Sequence, residues 1–271
     1  MDQPPLSFLA RHEFLVRRLH SLSGLVPVGA YMVVHLATNA SVLDGPGAFQ
    51  RNVYTIHSLG RLLPLVEWAF IFLPLLFHAV VGVMIVLGMV PNTANYRFGA
   101  NFRYTLQRWT GMIAFVFIFW HVFHMHGWFH SEWWLTHVAE PFGGANFRPF
   151  NAASTAGLAL QNLLMVAFYA VGTLSCVFHL ANGVWTAGIT WGIWTSPRAQ
   201  FRALAACGAF GVALAIVGLG ALGGMNAVGR GERLEEAREI EAAQYRYRVQ
   251  SGQIAPDEHK RATPDVFDAA D

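Results

Sequence analysis

The chain has 271 residues, 54% of them hydrophobic and only 13% charged, about half the charged share of a soluble domain. With 14% aromatic residues and a mean hydropathy of +0.38, disorder, a disulfide scaffold and a collagen-like fibre are excluded. A formal net charge of +2 and a single lysine leave no basic patch interleaved with aromatics, so nucleic acid is not a partner. Cys176 and Cys207 lie in apolar runs, and the chain has neither a CxxCH nor a CxxC motif. Any cofactor is therefore held without thiolates.

A membrane helix needs about 20 largely apolar residues to cross a hydrocarbon core roughly 30 Å thick. Five stretches qualify in chain order: Leu19–Ala40, Leu62–Val90, Tyr104–Phe129, the run Ala156–Trp194 with its helix from about Leu163, and Ala203–Met225. Open sheet cannot satisfy its backbone in lipid, so the expected fold class is all-α, an integral membrane bundle of five transmembrane helices. Pro27 and Pro74 predict local kinks, and polar connectors such as Pro91–Asn92–Thr93 and Ser196–Pro197–Arg198 mark the turns.

The segment before Leu19 is too polar for a cleaved signal peptide, so the first span is expected in the mature protein. Arg11, Arg17, Arg18, Arg97, Arg103, Arg108, Arg198 and Arg202 fall on one side, against Arg51, Arg61 and Arg148 in the short loops of the other. The positive-inside rule then puts the N-terminus in the cytoplasm and the C-terminus on the outer side. Residues 1–228 form the expected membrane domain and 229–271 a polar, charged C-terminal tail. The alternating charges of Glu232–Arg246 read as an exposed helix with i,i+4 pairs, a solvated extension at the membrane surface.

Twelve histidines in so apolar a chain carry the chemistry, because an ionisable group at membrane depth is costly and points to function. His35, His78, His121 and His179 lie well inside the first four spans, one on each. At about 1.5 Å per residue, His35 and His121 sit roughly 22–26 Å from the inner face and His78 and His179 roughly 16–21 Å. They sort into an outer pair, His35/His121, and an inner pair, His78/His179. Two facing imidazoles without a nearby carboxylate suit a planar cofactor that needs two axial nitrogens, a low-spin b haem. Zinc would want three or four ligands at one depth. A proton relay would want acids inside the spans, where only Glu67 qualifies. Small residues beside the ligands, Ala79, Gly82, Gly111 and Gly183, leave room for a flat macrocycle and also permit close helix packing.

The segments Arg17–Arg18–Leu19–His20–Ser21–Leu22–Ser23–Gly24, Phe72–Leu73–Pro74–Leu75–Leu76–Phe77–His78–Ala79–Val80 and Gln107–Arg108–Trp109–Thr110–Gly111 resemble the succinate dehydrogenase cytochrome b558 subunit. So does Phe178–His179–Leu180–Ala181–Asn182–Gly183, followed by Thr190–Trp191–Gly192. The likeness runs in order over about residues 10–225. It implies a five-helix subunit of the bacterial cytoplasmic (inner) membrane, carrying two b haems. Such a subunit anchors a flavoprotein and an iron–sulfur subunit and exchanges electrons with menaquinone. The family's axial ligands map onto His35, His78, His121 and His179, in the pairing that depth gives. The long loop Trp128–Asn151 and the charged tail depart from the shorter members. Nothing in the chain resembles a flavin or dicarboxylate fingerprint, so dicarboxylate chemistry belongs to partner subunits.

Other residues supply candidate roles. Arg17, Arg18, His20 and Ser21, with Gln107 and Arg108, offer cations and hydrogen-bond donors to haem propionates, although ordinary positive-inside anchoring accounts for the arginines too. His124, His126 and His130 walk around a helix end beside Trp128, Trp133 and Trp134, an interfacial pattern, with His124 as the rival ligand to His121. His57, Arg61 and Glu67 gather near the start of the second span, where quinone reduction would need proton donors; a snorkelling interfacial carboxylate reads Glu67 equally well. Two rival functions are the cytochrome b of a hydrogenase or formate dehydrogenase, and a haem-free transporter that relays protons through histidines. One histidine on each of the first four spans, together with the motifs above, favours the succinate family.

Overall fold

A computed structural model describes residues 11–88, 98–129 and 131–262; the Pro91–Asn92–Thr93 connector, Arg97 and His130 lie outside the described residues. Among those described, every element is helical apart from an isolated antiparallel bridge between Arg148 and Asn151. Eight helices matter here. They are α1 (Glu13–Asp44), α2 (Pro46–His57), α3 (Gly60–Leu87), α4 (Gly99–His126), α5 (Ala152–Ala159), α6 (Leu163–Thr190), α7 (Pro197–Val228) and α8 (Gly231–Gln250).

Helices α1, α3, α4, α6 and α7 are long and apolar enough to cross a membrane. Only 6% of the most apolar stretch of α1 and of α3 is buried within the chain, and no more than 22% in the other three. Side chains such as Leu65, Leu87, Leu163 and Ile216 stand exposed. Apolar surface of this extent on helices of this length is solvated by lipid. The chain is a multi-pass membrane protein.

Local sequence sets the helix ends. Asn162 caps α6, its Oδ1 accepting from the backbone N–H of Leu164 and Met165. Ser196 caps α7, with Pro197 at the first helical position and the Ala199 N–H bonded to the seryl oxygen. Helix α1 begins at Glu13, ahead of the Leu19 expected from hydropathy, because Glu13 and Arg17 pair one turn apart across its polar first turns. The two internal prolines do not break their helices. Residues Gly24–Gly29, around Pro27, and Trp68–Phe72, just before Pro74, wind as single π-turns and the helix resumes after each. A π-turn re-registers the carbonyls that proline leaves unpaired.

The chain divides into two compact units, and all five long helices contribute to both. The first gathers the described residues of 1–33, 64–113 and 175–212. Within it the starting half of α1 packs on α3, and Trp194 folds back over α6. There Gly188 has no side chain to obstruct the indole, and the Trp194 Nε1–H donates to the Trp185 carbonyl.

The second unit gathers the described residues of 34–63, 114–174 and 213–271. In it α2, α5 and α8 pack on one another, so the tail departs from the solvated extension expected. Leu234, Ala237, Glu241 and Tyr245 recur at helical spacing on α8 and are all buried. Tyr245 closes a small core with Tyr54 and Phe150, and the Ala262 N–H reaches the Asn151 side chain. The charges that look like a solvated face occupy the other side of α8, where Arg238 pairs with Glu235. Alternating charge hid the inward stripe, because one of its four members is itself an acid.

Candidate functional site: two imidazole pairs

In the first unit, His78 on α3 and His179 on α6 face each other with ring centroids 6.0 Å apart and planes at 84°. In the second unit, His35 on α1 and His121 on α4 stand 5.9 Å apart at 73°. An imidazole nitrogen binds a transition metal at about 2 Å, and its ring centre lies about 1 Å beyond, so two rings on opposite sides of one ion stand about 6 Å apart. Both pairs have that separation. Among the described residues, no three His, Cys, Asp or Glu side chains gather as a metal site. The donor set is thus two nitrogens per site, which suits iron whose remaining positions are filled by a macrocycle.

The His78/His179 pair is built the same way twice. His78 Nδ1 lies 2.9 Å from the carbonyl of His20 on α1, and its ring rests on Gly24, where a Cβ would come within 2.3 Å of the imidazole. His179 Nδ1 lies 2.9 Å from the carbonyl of Gln107 on α4, and its ring rests on Gly111, where a Cβ would approach to 2.8 Å. In each case the accepting carbonyl belongs to the residue one helical turn before the glycine. The missing Cβ opens the helix surface so that a ring from the neighbouring helix reaches a main-chain carbonyl. A carbonyl only accepts, so each Nδ1 carries the proton and each Nε2 keeps its lone pair. Metal-ligating histidines are commonly held in this way.

Gln107 locks the arrangement further. Its amide donates to the His179 carbonyl at 3.0 Å, and its side-chain oxygen accepts from Asn182 at 2.8 Å. His20 stacks on His78 with ring centroids 4.0 Å apart and planes 10° off parallel. Its Nδ1 is buried with no hydrogen-bond partner among the described residues, and Gly82 leaves room for its ring. A buried ring nitrogen without a partner fits a site that presents a polar group to a cofactor.

The His35/His121 pair is held by side chains. Asn39 lies 3.1 Å from His35 Nε2, and the Tyr169 hydroxyl lies 3.2 Å from His121 Nδ1. Phe117 stacks on His121 at 5.6 Å, its ring seated over Gly172, where a Cβ would fall 2.1 Å away. His124 is buried and bonds the same Tyr169 hydroxyl at 2.7 Å. Sequence reasoning passed over Gly24, Asn39, Phe117, Tyr169 and Asn182. Gly24 and Asn182 carried a signal, since each lies in a quoted motif, Gly24 at the end of the first and Asn182 three residues after His179.

Of the residues expected at haem propionates, His20, Ser21 and Gln107 are partly buried. Arg17 is paired with Glu13, Arg18 lies over Phe14 and Trp191, and Arg108 lies over the Tyr104 ring. His57 closes α2 in the second unit, Arg61 is exposed on the first turn of α3, and Glu67 is half-buried farther along α3.

No protein-family model matches the chain. The sequence is 38% identical over 210 residues to the succinate dehydrogenase cytochrome b558 subunit of Bacillus subtilis (strain 168), a match covering 78% of this chain and 96% of that protein. That identity, over nearly the whole length of the relative, accompanies five helices fit to span a bilayer, four of which carry the paired histidines. The chain belongs to the family of succinate dehydrogenase cytochrome b558 subunits.

Proposed function

We propose that the chain is the haem-bearing anchor of a succinate dehydrogenase or fumarate reductase. In this reading it passes electrons between an iron–sulfur subunit and menaquinone through two b haems. The observation that carries it is the spacing of the two imidazole pairs, 5.9 and 6.0 Å, each matched to one iron. His35 and His121 hold one haem and His78 and His179 the other; each haem, when bound, supplies a one-electron redox centre within the lipid. The chain's own residues do the positioning. The Gln107 and His20 carbonyls fix the inner rings, and Gly24 and Gly111 let those rings approach. His20 and Ser21, with Arg17, Arg18, Gln107 and Arg108, offer donors and cations to the propionates. Flavin and dicarboxylate chemistry falls to the partner flavoprotein and iron–sulfur subunits.

By the positive-inside rule the N-terminus faces the cytoplasm and the C-terminus the outer side of a bacterial cytoplasmic membrane. The pairs His78/His179 and His35/His121 are then the inner and outer sites. The purified complex is expected to contain two haems per copy of this chain, with a flavoprotein co-purifying. His179→Ala and His121→Ala should each remove one. A single haem in the unaltered complex, or two remaining in either variant, overturns the assignment.

His57, Arg61 and Glu67 are the residues proposed to serve the quinone, with Glu67 exchanging protons at its headgroup. Glu67→Gln keeps the shape and removes the proton exchange. It should lower quinone-coupled turnover by at least tenfold while the reduced-haem spectrum stays unchanged. Turnover at the unaltered rate removes Glu67 from the quinone site.

A further inference from the structure

His121 differs from His78 and His179 in what accepts its Nδ1 proton. At His78 and His179 the acceptor is a main-chain carbonyl, which no side-chain change alters directly. At His121 it is the Tyr169 hydroxyl, and the same hydroxyl bonds a second imidazole, His124, on the next turn of α4. Tyr169 and His124 are 6% and 4% exposed, so water does not substitute for either partner.

A phenol has one proton and can donate once. If His121 offers Nε2 to iron, its Nδ1 carries hydrogen and donates to the Tyr169 oxygen. The Tyr169 O–H is then directed at His124 Nδ1, in agreement with the shorter of the two contacts, 2.7 against 3.2 Å. Phe117 meets Tyr169 edge-on at 5.3 Å and stacks on His121, so the three rings are held as a block. The result is a directed chain, His121 to Tyr169 to His124, in which each bond polarises the next.

We propose that Tyr169 and His124 are positioning residues that fix the ring of His121 and set how strongly it donates to the haem of the His35/His121 pair. This rests on that pair being haem ligands. Hydrogen-bond acceptance at Nδ1 makes Nε2 a stronger donor, which favours ferric over ferrous iron. Donation from Tyr169 to His124 strengthens the effect, since a hydroxyl that gives its proton away is a better acceptor.

The test is a redox titration of the whole complex, followed optically and by electron paramagnetic resonance of the ferric low-spin signals. In Tyr169→Phe the His121 N–H loses its acceptor. One haem should lose about tenfold of its preference for the ferric state, a rise of about 59 mV for a one-electron couple, with a changed low-spin signal, while the other haem is unmoved. His124→Phe keeps the acceptor but removes its polarisation, so the same haem should shift the same way by less, and His124→Gln should restore most of it. Unmoved midpoints and signals in Tyr169→Phe overturn the proposal. If Tyr169→Phe fails to retain the haem, His124→Phe decides: a raised midpoint supports the chain and an unmoved one overturns it. His121→Ala is the control for the underlying assignment, because two haems retained there would refute haem ligation instead.

Discussion

Gly24→Ala and Gly111→Ala are each expected to lower the haem content of the complex from two per chain to about one, as completely as replacing a ligand. Alanine is the better helix former by about 1 kcal/mol, so propensity alone predicts a small gain. Packing predicts the reverse. The added methyl would lie 2.3 Å from the His78 ring at Gly24 and 2.8 Å from the His179 ring at Gly111, distances at which something must move. The ring is what can move, and moving it detaches Nδ1 from its carbonyl and changes its separation from the other imidazole of the pair. Overpacking costs typically 1–3 kcal/mol, and here it is concentrated on the alignment of a ligand. Gly208→Ala and Gly223→Ala on α7 are the controls, since nothing lies within 4 Å of a Cβ at either. Haem counted against protein, together with the loss of one optical band, separates the outcomes. Full haem content in both Gly24→Ala and Gly111→Ala would show that close approach to the helix backbone does not hold these rings.

What the sequence disclosed and what it hid divide along a physical line. The long apolar runs and the depth of four histidines are properties of each helix alone, so the five candidate spans, and the nearness of His35 to His121 and of His78 to His179, could be read from run length and rise per residue. The support around each ring depends on which helices are neighbours. Gly82, one turn from His78 on its own helix, is the glycine that local spacing suggests, yet its open side faces His20. The glycine that admits His78 is Gly24, on a different helix. Tyr169 lies 48 residues from His121 and looks like any aromatic of an apolar run. Helix α5 was hidden for the same reason. Read alone, Ala152–Ala159 is a short apolar stretch continuous with the fourth span, and what gives it a separate start are side chains 102 and 88 residues away, Gln50 and Glu241.

That remote capping leads to the largest stability effect expected in the chain. The first N–H groups of a helix have no partner within it. In α5 the Ala152 N–H goes to the Gln50 side-chain oxygen, and those of Ala153 and Ser154 go to one oxygen of Glu241 at 2.7 and 3.0 Å. The other Glu241 oxygen accepts from the Ser154 hydroxyl and the Asn151 amide. Gln50 and Glu241 are fully buried, and a carboxylate at a helix N-terminus is favoured by the helix dipole as well. A buried donor left without its partner costs about 1–3 kcal/mol. Glu241→Ala strands three, the Ser154 hydroxyl keeping the Asn151 carbonyl, and is expected to cost about 4 kcal/mol or more, releasing α8 from α2 and α5. Glu241→Gln keeps one acceptor oxygen but turns an amide group toward donors, at about 2–4 kcal/mol. Burial lifts the Glu241 carboxyl above the usual carboxylate range, against the pull of its four donors. The folded state then holds the proton more tightly than the unfolded one. The contribution of Glu241 is therefore full below the ordinary carboxylate value and diminishes as pH rises through the raised one. Glu241→Gln should be less stable than the unaltered chain at neutral pH and should lack that slope. Thermal unfolding in detergent, with proteolysis between α7 and α8 as the local readout, checks both. An unchanged melting temperature with α8 still protected would mean that Tyr245 and its aromatic neighbours, and not the Glu241 cap, hold the tail in place.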